Sequence, residues 1–411
     1  MFDKIGPKAI EEAINGFVQW LSSFGETSQD HQDFYAGGIG ARAKELYYKK
    51  PILGTIAVSP MVLCEAFLPK ARKFFHHPMR LPIADAHYAM GFALLYEITK
   101  DIGNLYKARH FCQILKETRC RSYRHFAWGY PFDWQTKGGV IKAGTPLITT
   151  VPYCYEAFEY LYRIDNNEDW RPVMRSIAEH AFSDYMDVAT NDNASSCSYT
   201  PQGGCGVVNA SAYRAFLLTA AGIEFGDGRY LQKALENLQF VLASQGKDGA
   251  WPYAVDGDRD FIDHFHTCFV LKALAKIEKL TGNVDCRDAI SRGVGYYAGN
   301  LCDENGLPKP FAKAPRMTVY RRELYDYAEC LNLGVLLQGR FPELDRIAAG
   351  VLNDLFNNWK KRDGSFRSRK LLVAWDNVPM HRWGQSMIFR SLCLIWQRAT
   401  ETKSLSEPNK G

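Results

Sequence analysis

The chain of 411 residues carries 50 basic and 45 acidic side chains, a net charge of +5, with no Lys/Arg cluster of the kind that tracks phosphates, which argues against a nucleic-acid binder. No charged and then apolar leader opens it, and no apolar stretch reaches about 18 residues, so neither a signal peptide nor a membrane-spanning helix is expected. Its 11 cysteines, an odd count scattered through helical patterns, fit free thiols in a reducing cytoplasm.

The first helical pattern, over 7–21, stands alone. Residues 22–80 read as an irregular elaboration, and 33–40 and 49–59 are candidates to cover a cavity. From residue 85 to the C-terminus runs a weak repeat of about 55 to 65 residues, and repeats decide architecture before any local feature does. Each copy holds an apolar helix, a tight polar turn, an amphipathic helix, and a long loop rich in Gly, Pro and aromatics.

The turns are 101–104, 165–168, 226–228, 281–283 and 339–342. In them Gly or Asn suits the left-handed backbone that ends one helix, and Asp, Glu or Pro suits the first turn of the next. The helices before the turns, at 86–98, 151–162, 210–221, 265–277, 328–337 and 387–396, are apolar on most sides and are predicted to be inner helices. Those after the turns carry one stripe, such as Leu231, Leu235, Leu238, Val241 and Leu242, or Leu344, Ile347, Val351, Leu352 and Leu355. The last inner helix lacks an outer partner, and the first helix lacks an inner one. Placing the first against the last closes a circle, so the expected fold is all-α, an (α/α)6 toroid in a single domain over 1–411.

In such a ring the long loops gather at one mouth, where chemistry is expected. The richest loop holds Trp128, Tyr130, Asp133, Trp134 and Gln135, and its Gly-spacer-aromatic pattern is echoed at Trp251 and Tyr253, at Phe311 and at Phe366. Aromatic faces beside carboxylates and amides suit a sugar ring, whose C–H face is apolar and whose hydroxyls need hydrogen bonds. The bland alternative is that Trp128, Trp134 and Trp251 only plug the ring. Asp133, set between Phe132 and Trp134, is expected to be desolvated and raised toward the general-acid range, with a turn cap as the alternative. A partner carboxylate or base is sought among Asp256, Asp258, Asp260, Asp263, His264 and His266, with a helix cap and a core histidine as the bland readings.

The fifth loop adds Arg316, Arg321, Tyr325 and Asp326, and the sixth adds Asp376, His381, Arg382 and Trp383. Arg beside Tyr and His suits an acidic sugar, whose carboxylate Arg grips with two parallel bonds, and a Tyr or His base would then support epimerase or lyase chemistry. Zinc held by Cys197, Cys205, Cys268, His264 and His266 is disfavoured by the lack of ligand spacing, so no metal is expected. The chain has no phosphate loop, dinucleotide fingerprint or nucleophile elbow, so no cofactor is expected either.

The strings at 125–135, 143–155 and 262–274, above all Trp-Gly-Tyr-Pro-Phe-Asp-Trp-Gln at 128–135, resemble a poorly characterised bacterial family. Its members are similar to six-hairpin glycosidases and terpenoid-cyclase-like toroids and are often encoded among exopolysaccharide biosynthesis genes. The resemblance spans about residues 80–400 and implies an (α/α)6 fold and a place in polysaccharide production, with no catalytic residues to carry over. The D-x-D-D and D-D-x-x-D motifs of isoprenoid cyclisation do not occur.

The expected function is therefore carbohydrate-active. The catalytic candidates are Asp133, Asp263, His266 and Asp326. The substrate-binding candidates are Trp128, Tyr130, Trp134, Gln135, Trp251, Tyr253, His264, Arg321, Tyr325, Asp376, His381 and Trp383. The alternative is a non-catalytic glycan-binding or assembly component, and the partner in either case is a carbohydrate or glycan precursor.

Overall fold

The computed structural model describes residues 5–406 apart from positions 192 and 316, so Arg316 lies outside the described residues. Helix α1 (Pro7–Phe24) is followed by a hairpin of α2 (Gly38–Lys49) and α3 (Pro51–Phe67), then by five helical pairs and a last helix. The pairs are α4 (Pro82–Thr99) with α5 (Ile102–Glu117), α6 (Val151–Asp165) with α7 (Trp170–Ser183), and α8 (Val208–Phe225) with α9 (Gly228–Ala243). After them come α10 (His264–Thr281) with α11 (Val284–Asn300), α12 (Leu324–Leu336) with α13 (Pro342–Asp354), and finally α14 (Ser386–Ser406).

The even-numbered helices from α4 to α14 form the inner circle. Each packs on the next, and α14 packs on both α12 and α4, so the circle closes. Helix α1 lies outside α14 and completes the outer layer. The fold is an (α/α)6 toroid.

Local chemistry explains the hairpins. Inner helices end on left-handed residues, Lys100, Asn166, Gly226 and Gly282, which turn the chain back. The side chains of Asp101, Asp227 and Asn283 then accept backbone N–H bonds at the starts of α5, α9 and α11, each satisfying one of the donors that open a helix unpaired. Burial follows the expected layers. Every residue of α8 from Val208 to Gly222 is buried, whereas α9 buries a stripe on Tyr230, Ala234, Leu238 and Val241. That stripe starts one residue earlier than expected, and Leu231 and Leu235 are exposed.

Ring closure rests on aromatic packing. Phe17 of α1 stacks on Phe389 of α14 at 5.1 Å, and Phe389 also meets Phe92 of α4 at 5.0 Å. Burying a side chain of this size contributes about 1.5–3 kcal/mol, so the first helix is fixed to the last by its own core.

Among the described residues, four small antiparallel sheets decorate the loop end. They pair β1 (Trp134–Thr136) with β2 (Gly139–Ile141), β3 (Asp187–Asn191) with β4 (Ala194–Cys197), and β5 (Ile262–Asp263) with β6 (Phe311–Lys313). The fourth has the order β7 (Tyr320–Glu323), β8 (Arg369–Leu371), β9 (Trp375–Asp376).

Residues 33–37 form turns and bends, whereas α2 begins at Gly38 and α3 occupies most of 49–59 where irregular structure was expected, and the two helices pack around Phe34, Ala43 and Met61. Their glycines serve close approach: a Cβ on Gly54 would overlap the backbone of Tyr47, so the hairpin crosses tightly there.

Candidate active site at the mouth of the ring

Aromatic side chains from five loops and helix starts form a collar at the loop end. Tyr130 lies 5.7 Å from Trp134, and Trp134 lies 6.2 Å from Tyr199. Across the mouth Tyr253 meets His266 edge-on at 4.7 Å, His266 meets Phe265 at 4.3 Å, and Phe265 meets Tyr325 at 4.9 Å. Tyr325 stacks on Trp383 at 5.7 Å and 6°. The Arg382 guanidinium closes the circuit, 3.7 Å from the Trp383 ring and 4.2 Å from the Tyr130 ring.

One titratable pair belongs to this collar. Asp263 caps α10 by accepting the His266 N–H at 2.9 Å, and its second oxygen lies 2.6 Å from His266 Nδ1. The carboxylate is buried at 2 % exposure, while the imidazole keeps 20 % of its side-chain surface. Asp263 therefore fixes the proton on Nδ1 and leaves Nε2 as the basic nitrogen, the arrangement that prepares a histidine to take a proton.

Beneath the collar the axis is filled by charge. Glu156 binds Lys276 at 2.5 Å and lies 3.7 Å from Arg390, Lys272 pairs with Glu329, and the Tyr153 and Tyr213 hydroxyls meet at 2.5 Å. Burial alone would raise the Glu156 carboxyl, but Lys276 and Arg390 outweigh it and hold the group charged. Burial lowers Lys276 to about 8 against the pull of Glu156. A cavity of about 10 Å³ remains among these groups, room for about one water, so no larger molecule fits beneath the collar there.

The N-terminal segment reaches into the mouth. Asp30 grips Arg382 through two parallel bonds of 2.9 and 2.5 Å, with both side chains fully buried. His31 stacks on Trp383 at 5.6 Å, and burial first, then Arg369, Arg72 and Arg382, holds it neutral.

The collar brings together Tyr130, Trp134, Tyr253, Asp263, His266, Tyr325 and Trp383 of the sequence candidates. The others need correction. Asp133 is exposed, bonds to Lys142 at 2.8 Å and to the Ala143 N–H, and these partners lower its carboxyl instead of raising it. Trp128 and Trp251 are buried between the helical layers, where their indoles donate to Leu115 O and Val241 O in the last turns of α5 and α9. They plug the wall of the ring. Gln135 is buried in the β1–β2 hairpin and bonds to Thr136 O.

His264 is fully buried, with Nε2 at 2.8 Å from the Tyr297 hydroxyl and Nδ1 at 3.2 Å from Asp326, and burial lowers it to about 4. Asp326 is equally buried, and burial first, then Asp263 and Glu329, push its carboxyl well up. Arg321 is exposed on β7. Asp376 is buried against Arg72 at 2.7 Å. His381 bonds to the Tyr88 hydroxyl and to Gly25 O, and burial lowers it to about 4. Asp30 and His31 were missed, because nothing in an isolated Asp-His pair signals a contact some 350 residues away.

No protein-family model matches the chain, and no curated protein matches it. Solved structures do. The cellobiose 2-epimerase of Bacillus thermoamylovorans B4167 aligns with TM-score 0.59 at 11% identity over 78% of this chain and 88% of that one. A polysaccharide lyase aligns with TM-score 0.54 at 15% identity over 85% and 98% of the two chains. A family 88 glycosyl hydrolase from Bacteroides vulgatus aligns with TM-score 0.53 at 12% identity over 83% and 98%. At such identities the likeness establishes the toroid, and three reaction classes share it.

Proposed function

We propose that the protein is a carbohydrate-active enzyme in which His266, oriented by Asp263, abstracts a proton from a sugar carbon held in the aromatic collar. The observation that carries this reading is the buried carboxylate fixing a partly exposed imidazole among Tyr253, Phe265 and Tyr325. Tyr325 keeps its proton because burial raises its hydroxyl well above the ordinary value, so it can donate a hydrogen bond to a developing oxyanion.

Epimerisation or β-elimination fits better than hydrolysis. Glycoside hydrolysis uses two carboxyl groups about 5–10 Å apart across the sugar. Of the candidate acids, Asp133, Asp256, Asp258 and Asp260 are salt-bridged to Lys142, Arg259, Lys137 and Lys313, Asp326 is buried against His264, and Asp263 is committed to His266. On a carbon next to a carbonyl or carboxylate, His266 takes the proton and leaves an enolate; return of that proton by the imidazolium after the enolate has turned its other face gives the epimer, and expulsion of the β-alkoxide, protonated by the imidazolium, gives the unsaturated product. We place the substrate in polysaccharide or exopolysaccharide production because of the string at 128–135, and the setting in the cytoplasm because the eleven cysteines are unpaired.

A non-catalytic glycan-binding role is the second reading. It is favoured by Asp30 on Arg382 and His31 on Trp383, which cover the collar's cation and one of its stacking faces. Incubation with cellobiose, neutral oligosaccharides and uronate oligosaccharides in heavy water, followed by mass spectrometry, separates the two. Deuterium uptake or an unsaturated product supports the enzyme, and binding with neither supports the second reading.

A further inference from the structure

We infer that the α2–α3 hairpin is a docking surface for an anionic lipid bilayer, on which the protein lies without inserting a span. One face of α3 is buried through Gly54, Met61 and Ala66. Its opposite face presents Ile52, Ile56, Pro60, Leu63 and Phe67, a stripe at helical spacing with no polar member. Ile52 is 82 % exposed, Ile56 66 %, Leu63 57 % and Phe67 60 %, and Phe74 just beyond is 79 % exposed. The hairpin already has its own small core of Phe34, Ala43 and Met61, so the stripe is surplus to folding.

Charge identifies the occupant. Residues 38–77 hold seven basic and two acidic side chains, an excess of five that equals the net charge of the whole chain. Arg72 is buried against Asp376, but Arg42, Lys49, Lys50, Lys70 and Lys73 are exposed, with lysines at both ends of the apolar stripe. An apolar stripe bracketed by lysines matches the acyl boundary and phosphate layer of an acidic membrane, whereas a second copy would bring the same positive charge against itself. No described helix is long and apolar enough to cross a membrane, and α3, at about 25 Å by helical rise, is anchored at its C-terminal end by Glu65 on Arg369 at 2.6 Å. Arg369 also holds Glu323 beside the mouth, and α2 packs on β1, so a docked hairpin sets the collar next to the lipid surface.

The test is flotation of the purified full chain with vesicles of phosphatidylcholine alone and with added phosphatidylglycerol. Binding to the acidic vesicles is expected, falling at high salt and abolished by I56D/F67D with an unchanged melting temperature. The K50Q/K70Q/K73Q variant should bind at least about fivefold more weakly, that being roughly the contribution of one basic residue near an anionic surface. Equal flotation on both vesicle types, no flotation on either, or a dimer in light scattering that I56D/F67D dissolves would each overturn the inference. These outcomes do not depend on which sugar, if any, the collar turns over.

Discussion

Asp263 holds His266 at two points, one oxygen accepting the backbone N–H at 2.9 Å and the other facing Nδ1 at 2.6 Å. A single carboxylate thus starts an inner helix and sets the tautomer of the imidazole on it. The D263N variant separates these duties. Asn still accepts the backbone bond, so stability should change by less than about 1 kcal/mol in urea unfolding. Its amide N–H turned toward Nδ1 would move the imidazole proton to Nε2, and turnover should fall by about 10²–10⁴.

The two classes of tryptophan should respond oppositely to truncation. W251A opens a void between layers and removes the bond to Val241 O, at a cost of about 3–5 kcal/mol, while sugar affinity of the folded fraction is unchanged. W134A removes a partly buried collar ring that meets Tyr130 and Tyr199 and should weaken binding by about tenfold, with a smaller stability loss, since such ring contacts contribute about 0.5–1.5 kcal/mol. Calorimetric binding and equilibrium unfolding on both variants test the assignment.

The Asp30–Arg382 pair is buried on both sides, and D30A leaves an uncompensated guanidinium. A loss of about 3–5 kcal/mol is expected. Removing Asp258 from its exposed pair with Lys137 should cost no more than about 1 kcal/mol in the same denaturation assay.

Stability should fall as pH rises from 6.5 to 8. Burial raises Asp33 to about 8 and Asp85 to about 7, far above their unfolded value of 3.8. Folded-state pKa values above the unfolded ones give stability that is fully present below about 4 and is lost as pH climbs through 7 and 8. Burial of His264 and His381 lowers both to about 4, so they add stability as pH rises, but only up to their unfolded value of 6.5. Above that point the raised carboxyls, Glu159 and Glu323 at about 7 among them, set the slope until Lys276, lowered to about 8, begins to oppose it. Melting temperature against pH measures the decline, and D33N should flatten its upper part.

The ring was legible in the sequence because hairpin turns and apolar periodicity are local signals. Gly226, Gly282 and the buried run of α8 occur where the pattern put them. The site was legible only in part, since the inward or outward aim of a loop aromatic depends on the whole ring. Trp128 and Trp251 repeat because each indole closes the last turn of an outer helix, so the echo that suggested function encodes architecture. Trp134 and Trp383 look identical in sequence and face the mouth. The α2–α3 hairpin lies outside the repeat, so its helices had no periodic partner to mark them; Gly54 permits the tight crossing and Pro60 lies on the exposed face of α3.

The most direct test of proton abstraction at the collar is solvent deuterium incorporation into the sugar, followed by mass spectrometry for the wild type and H266Q. The wild type should place one deuterium on a ring or carbonyl-adjacent carbon, and H266Q should lose that exchange by at least about a hundredfold while still binding sugar. Equal exchange in both proteins, or cleavage with no exchange, would contradict His266 as the base.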